Sequence, residues 1–160
     1  MSALVAGCAL CEDAGGRVVV QAARWRLIHA TEAGFPAFYR LVWQDHVREF
    51  SQLPADARLE CVEVLAAVEQ ALLRHLQPAK VNLASLGNAV PHLHWHVIAR
   101  FDWDSHFPAP VWAAPLRAQD EARLCTVAAG LPALEAELAA SLPLAGGKVD
   151  GRVKSGTSGG

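Results

Sequence analysis

A chain of 160 residues with 52% hydrophobic content can bury one core and is too short for several, so one domain with an appendage is the expected organisation. Its formal net charge of -2 gives no electrostatic footprint for duplex nucleic acid, and no basic run stands beside aromatic residues, which excludes nucleic acid and favours a small-molecule ligand. The mean hydropathy of +0.20 is high for a monomer, yet no stretch approaches the ~18 apolar residues of a membrane helix, so a membrane is excluded too and the surplus apolar surface is expected to meet a second subunit.

In chain order, Val5-Ala6-Gly7-Cys8 imitates the small-residue run before a lipid-modified cysteine. It lacks a basic start and an apolar stretch of sufficient length, so no export signal is expected. Four cysteines without such a signal place the chain in a reducing compartment, the cytoplasm, where Cys8-Ala9-Leu10-Cys11 is a metal or redox pair rather than a structural disulfide. Runs 17–21, 25–29, 37–43, 80–85 and 94–100 are β-branched or aromatic and bounded by Gly, Pro or charged breaks, which predicts five short strands. Between the third and fourth, Leu59, Val62, Leu65, Val68, Leu72 and Leu76 recur at helical spacing between Pro54 and Pro78, predicting the main helix. The loop Leu86 to Pro91 is short enough for an antiparallel connection. Residues 101–115, rich in Trp and Pro, predict an ordered wrapping loop. Residues 118–142 predict helix broken at Gly130-Leu131-Pro132, with Pro132 opening a second segment. Residues 145–160 contain six glycines and read as a flexible tail. The expected division is therefore a domain over 1–112, a C-terminal helical appendage over 113–144 and the tail.

The chemistry concentrates in His92-Leu93-His94-Trp95-His96. On an extended strand the three imidazoles share one side, while Leu93, Trp95 and Val97 take the other. Three buried imidazoles are costly unless each meets a hydrogen bond, a metal or a ligand. The Cys8/Cys11 pair has the geometry in which two thiolates bind one Zn²⁺ and leave two tetrahedral positions for imidazoles, with His46 available as a further nitrogen donor. The redox alternative expects the pair to open a helix after a buried strand, and no strand precedes it. His94 is the central nucleophile candidate, since a neutral imidazole needs no separate base to remove a proton. His96, two residues on and on the same face, is placed to assist it as a hydrogen-bond donor where charge builds. Gly87-Asn88-Ala89 supplies backbone N–H groups and an amide beside the triad, suited to phosphate oxygens. Cys61 and Cys125 fall in apolar helical patterns as small hydrophobes. Trp103 and Trp112 are expected in packing or dimer contacts rather than as stacking platforms, and His106 is left outside the site.

The motif His92-Leu93-His94-Trp95-His96-Val97-Ile98, with Cys8/Cys11, His46, and Asn82 ahead of Gly87-Asn88, resembles the histidine triad proteins, and most closely their zinc-containing bacterial branch. The resemblance covers Cys8 to about Trp112. It implies an α+β fold in which a five-stranded antiparallel sheet carries one main helix, here with the C-terminal helical appendage, and a homodimer whose sheets join. It also implies a nucleotide hydrolase or nucleotidyl transferase, acting on a dinucleoside polyphosphate or a nucleoside phosphoramidate through a nucleotidyl-histidine on His94, with His96 assisting. Asn82, Gly87 and Asn88 would then bind substrate, and a structural zinc would sit on Cys8, Cys11, His46 and His92. Two positions depart from the family pattern. Ala89 stands where a hydroxyl residue often assists the leaving group, and Ala30, with Glu32 nearby, stands where an acidic residue often holds the ribose. Those departures keep open a nucleotide-binding or sensing module with little catalysis. A third reading places all three histidines around a catalytic metal.

Overall fold

The computed structural model describes residues 4–143. After a single helical turn α1 (Ala9–Glu12), the β-branched and aromatic runs form β1 (Arg17–Gln21), β2 (Trp25–His29) and β3 (Phe38–Trp43). A short 3-10 turn leads into α2 (Ala55–Leu76), then β4 (Lys80–Ala84), β5 (His94–Arg100) and α3 (Glu121–Ser141). The strands make one antiparallel sheet in the order β1-β2-β3-β5-β4. This is the expected five-stranded α+β architecture, with the predicted strand limits matched to within a residue.

Strand alternation divides the molecule in two. Trp25, Leu27, Tyr39, Leu41, Trp43, Val81, Val97 and Ala99 face α2 and α3 and form the main core. The opposite face carries small apolar clusters, Ile28 and Val42 under Cys8 and Leu10, and Phe38 and Ile98 under Phe35 and Ala30. Between and beside these clusters lie the buried polar residues Arg26, His94, His96 and Arg100. Chemistry therefore occupies the face without long helices.

Three helical expectations are corrected. The buried stripe of α2 is Ala57, Cys61, Val64, Leu65, Val68, Ala71 and Leu72, while Leu59 and Val62 are exposed. Small residues at Ala57, Cys61 and Ala71 let the helix lie close to the sheet, so the contact stripe is rotated from the one that large apolar side chains mark. Helix α3 runs unbroken through Pro132. Proline removes one backbone hydrogen bond there, but Leu131, Leu134 and Leu138 are buried in the main core, and a Cβ on Gly130 would stand 3.0 Å from Leu76 Cδ2, so close packing on α2 holds the helix together. Cys125 lies on the exposed side of α3.

The segment expected as an appendage thus shares the main core. Helix α3 is also long and apolar enough, by length and composition, to cross a membrane, contrary to the expectation that no stretch comes near. Its leucines are instead seated on the sheet and α2, and Glu135 ties it down by accepting from Tyr39 Oη at 2.9 Å and from Arg17 at 2.8 Å twice. The expected tail, 145–160, lies outside the described residues.

The packing predicts that Leu134→Ala, at a position with no exposure, lowers unfolding free energy by about 2–5 kcal/mol. Leu59→Ala, on the exposed side of α2, should cost less than about 1 kcal/mol. Urea denaturation of the two variants checks both.

Candidate active site

His92 precedes β5, and its neighbour pairs with the end of β3 through Trp43 N–H donating to the Leu93 carbonyl at 3.1 Å. Its own Nε2 lies 2.7 Å from the Trp43 carbonyl. A carbonyl only accepts, so the proton sits on Nε2 and the lone pair of Nδ1 points the other way. That lone pair faces two thiols, Cys8 Sγ and Cys11 Sγ, each 3.4 Å from Nδ1. His46 Nδ1 is 3.4 Å from Cys11 Sγ and completes a group whose four ligand atoms lie within 4.8 Å of one another.

The short turn α1 brings Cys8 and Cys11 to one side, with Cys11 N–H donating to the Cys8 carbonyl at 2.9 Å. Buried Arg26 on β2 clamps that turn to the sheet, donating to the carbonyls of Leu10 at 2.7 Å, Ala14 at 3.0 Å and Asp13 at 3.2 Å. Sulfur and nitrogen donors on one tetrahedral zinc stand about 3.6 Å apart, from bonds of about 2.3 and 2.05 Å. Donor types, spacing and the tautomer of His92 all fit such an ion.

His94 and His96 point to the same face but into a different space. They line a cavity of about 490 Å³ together with Arg40, Gly87, Asn88 and Trp112. His94 Nδ1 lies 2.7 Å from the His92 carbonyl, which puts the proton on Nδ1 and leaves Nε2 with a free lone pair. Burial holds the His94 imidazole below its ordinary pKa against the pull of that carbonyl, and Arg40 lowers it further. Burial, then His94 and Arg40, push His96 down to about 4. Both rings are neutral at pH 7, and they meet edge to face at 5.0 Å between centroids.

The loop between β4 and β5 reaches the cavity because Gly87 adopts φ +78, a left-handed conformation that favours glycine. Asn88 and Ala89 follow it along the cavity wall. Ala89 brings no hydroxyl.

Asn82 is not brought to this cavity. It sits two residues before the end of β4, opposite Ile98, whereas Ala84 is the residue opposite His96. Its Oδ1 accepts from Arg100 Nη1 at 3.0 Å, and it lines a separate cavity of about 440 Å³ at the sheet edge. The reading of all three histidines around one metal is also corrected. His92 turns to the thiols while His94 Nδ1 is taken by a backbone carbonyl, and only His92 of the triad belongs to the Cys/His cluster.

Sequence reasoning missed two residues. Arg40 on β3 lies directly across from His96; its signal was a lone cation on the strand face of Phe38 and Val42. Trp112, 52% exposed, stands edge-on to His96 at 5.2 Å and is not a packing residue of the core. It is delivered by the loop after β5. Buried Arg100 donates to both Asp104 carboxylate oxygens at 2.8 and 2.9 Å and to the Ala109 carbonyl at 2.8 Å. Burial works to raise the Asp104 carboxyl, but Arg100 and backbone N–H groups hold it below the usual range. No periodicity encodes such a fold-back. Trp103 stacks on Phe101 at 4.9 Å, as expected of packing, and His106 lies by Ser105 and Phe35 rather than in the cavity.

A protein-family model described as the HIT domain matches residues 13–103. A search of the curated proteins finds no match. Among solved structures, a histidine triad protein from Bradyrhizobium japonicum is 27% identical, with TM-score 0.63 over 82% of this chain and 97% of that one. Another from Marinobacter aquaeolei VT8 is also 27% identical, with TM-score 0.62 over 79% and 93%. A Zn-bound histidine triad family protein from Mycobacterium smegmatis shares the fold at 16% identity, with TM-score 0.55 over 81% and 96%.

The neutral state of His96 predicts an acid-sensitive fold. Its folded pKa, about 4, lies below the ordinary 6.5, so between those values the unfolded chain binds a proton that the folded chain refuses. Stability should fall as pH drops through that window, by up to about 3 kcal/mol from this residue. His96→Gln should flatten that part of the stability profile, measured by denaturation at pH 7, 5.5 and 4.5.

Proposed function

The chain belongs to the HIT domain family, and from that premise we propose that it is a nucleotide hydrolase or nucleotidyl transferase, working through a nucleotidyl-histidine on His94. The observation that carries this is the tautomer of His94: with Nδ1–H donating to the His92 carbonyl at 2.7 Å, Nε2 is an unprotonated nucleophile at neutral pH on a residue lining the cavity. Nε2 attacks the α-phosphorus of a dinucleoside polyphosphate or nucleoside phosphoramidate. The bond to the leaving group breaks, and its electron pair departs with that group. Water then attacks the phosphorus of the nucleotidyl-histidine, the P–N bond breaks with its electron pair returning to Nε2, and the proton lost by water passes to solvent, which restores His94; another acceptor in place of water makes the reaction a transfer. His96, edge to face with His94, donates to a non-bridging oxygen as charge builds there. Such a donor is worth about 2.7–4 kcal/mol in comparable sites. Gly87 and Asn88 would hold the phosphate oxygens.

Zinc on Cys8, Cys11, His46 and His92 is proposed as structural. When bound it would neutralise the two thiolates and staple the N-terminal turn to the strand that carries the nucleophile. Thiolate ligands call for a reducing compartment, which supports the cytoplasm. The edge strand β4, with Leu83 exposed on it and Leu86 exposed just after it, supports a homodimer joined at that edge.

Intact-protein mass after incubation with diadenosine polyphosphate or adenosine phosphoramidate tests the chemistry. An adenylyl adduct should accumulate in His96→Ala, whose turnover falls about 100- to 1,000-fold, and be missing in His94→Ala, whose turnover falls by at least about a thousandfold. Nucleotide binding with neither adduct nor turnover would instead favour a sensing module. Metal analysis separates the two centres. One zinc per chain is expected in wild type and in His94→Ala, whereas Cys11→Ala should lose zinc together with several degrees of thermal stability; loss of zinc in His94→Ala would overturn the structural assignment.

A further inference from the structure

On that reading the cavity has to accept an anion, and its acidic lining residue, Asp13, is already an acceptor for Gly15 N–H at 2.7 Å. Among the described residues lining it, Arg40 is the one arginine or lysine. Its place is set by the β3–β5 register opposite His96, by the Phe38 ring 5.4 Å from its guanidinium carbon and by Glu32, which accepts from Nη2 at 2.8 Å. One nitrogen is thus committed to an ion pair. Arg40 Nε is buried with no partner among the described residues, and His96 Nδ1, across the strand pair, is in the same condition. Neither atom is open to solvent, whereas the Arg40 side chain as a whole keeps 24% of its accessibility and lines the cavity.

The same wall lacks something. No serine, threonine or tyrosine is among the described residues lining the cavity. A leaving amine takes the electron pair of the P–N bond and must gain a proton to depart as a stable species. A leaving phosphate or carboxylate takes the pair of the P–O bond onto oxygen and is stable as an anion. A wall with a fixed cation and no hydroxyl favours the second.

We propose that Arg40 is a specificity-determining residue of this cavity, its guanidinium meeting the charge that develops on the leaving group and so selecting substrates whose leaving group departs as an oxyanion, phosphoanhydrides or mixed anhydrides, over those that release an amine. Glu32 is its positioning partner. This rests on the nucleotidyl-transfer reading above and adds to it the substrate class and a residue outside the triad motif.

The test is the ratio of kcat/KM for diadenosine tetraphosphate to kcat/KM for adenosine 5′-phosphoramidate, in wild type, Arg40→Gln and Arg40→Lys. A ratio within one preparation is independent of the fraction that folds. Wild type should favour the anhydride tenfold or more. Arg40→Gln should lose about 10- to 100-fold on the anhydride, as expected for a charge-assisted hydrogen bond, and less than about threefold on the phosphoramidate, and Arg40→Lys should keep part of the preference. A wild type that favours the phosphoramidate overturns the proposal without any variant, as does an Arg40→Gln that loses equally on both. In those cases a His94 adduct still forms and the nucleotidyl-transfer reading stands. Absence of both adduct and turnover in wild type removes that reading and this proposal together.

Discussion

Strand β5 is hydrogen-bonded on both sides, to β3 and to β4, and that double pairing is the constraint on which the rest of the molecule depends. A strand held from both edges cannot slip by one residue without moving its whole buried set to the wrong face. Val97 and Ala99 are therefore committed to the helical core, and His94, His96 and Arg100 to the opposite side. The two long helices cover the first face. The second is left to loops and to the N-terminal turn, which are short enough to leave a cavity over the histidines.

Three arginines organise that second face, Arg26 and Arg100 buried and Arg40 half-buried, and each is satisfied differently. Arg26 is satisfied by backbone carbonyls and so holds down the turn that carries Cys8 and Cys11. Arg100 is satisfied by a carboxylate, an amide and a carbonyl, and so folds the loop after β5 back toward the cavity with Trp112. Arg40 has one partner at its tip and a buried Nε with none among the described residues. Backbone carbonyls perform a parallel task for the histidines. The Trp43 carbonyl turns the lone pair of His92 toward the thiols, and the His92 carbonyl leaves that of His94 free. Adjacent members of one motif thereby acquire different chemistry from different hydrogen-bond acceptors.

The strands were legible because β-branched and aromatic runs between Gly and Pro breaks have few alternatives. The extent of α2 was legible between Pro54 and Pro78, but its buried stripe was not, since Ala57, Cys61 and Ala71 contact the sheet through their smallness while Leu59 and Val62 face outward. Pro132 read as a break because local propensity disfavours it. Burial of Leu131 and Leu134 in the shared core outweighs one missing hydrogen bond. Asn82 was placed near the triad by analogy of position, and the register put it beside Arg100 instead.

By itself the sequence determined the chemical inventory and its local order: three imidazoles at period two, two thiols three residues apart, a glycine-bearing loop between two strands. Those follow from backbone geometry over a few residues, which the chain carries wherever it is. Tertiary structure decided which imidazole meets the thiols, which nitrogen of each ring keeps its proton, and that Arg40 and Trp112 share the cavity with His94 and His96. These depend on strand register and on a buried ion pair between loop and sheet, interactions among residues whose partners are set only when the whole core closes.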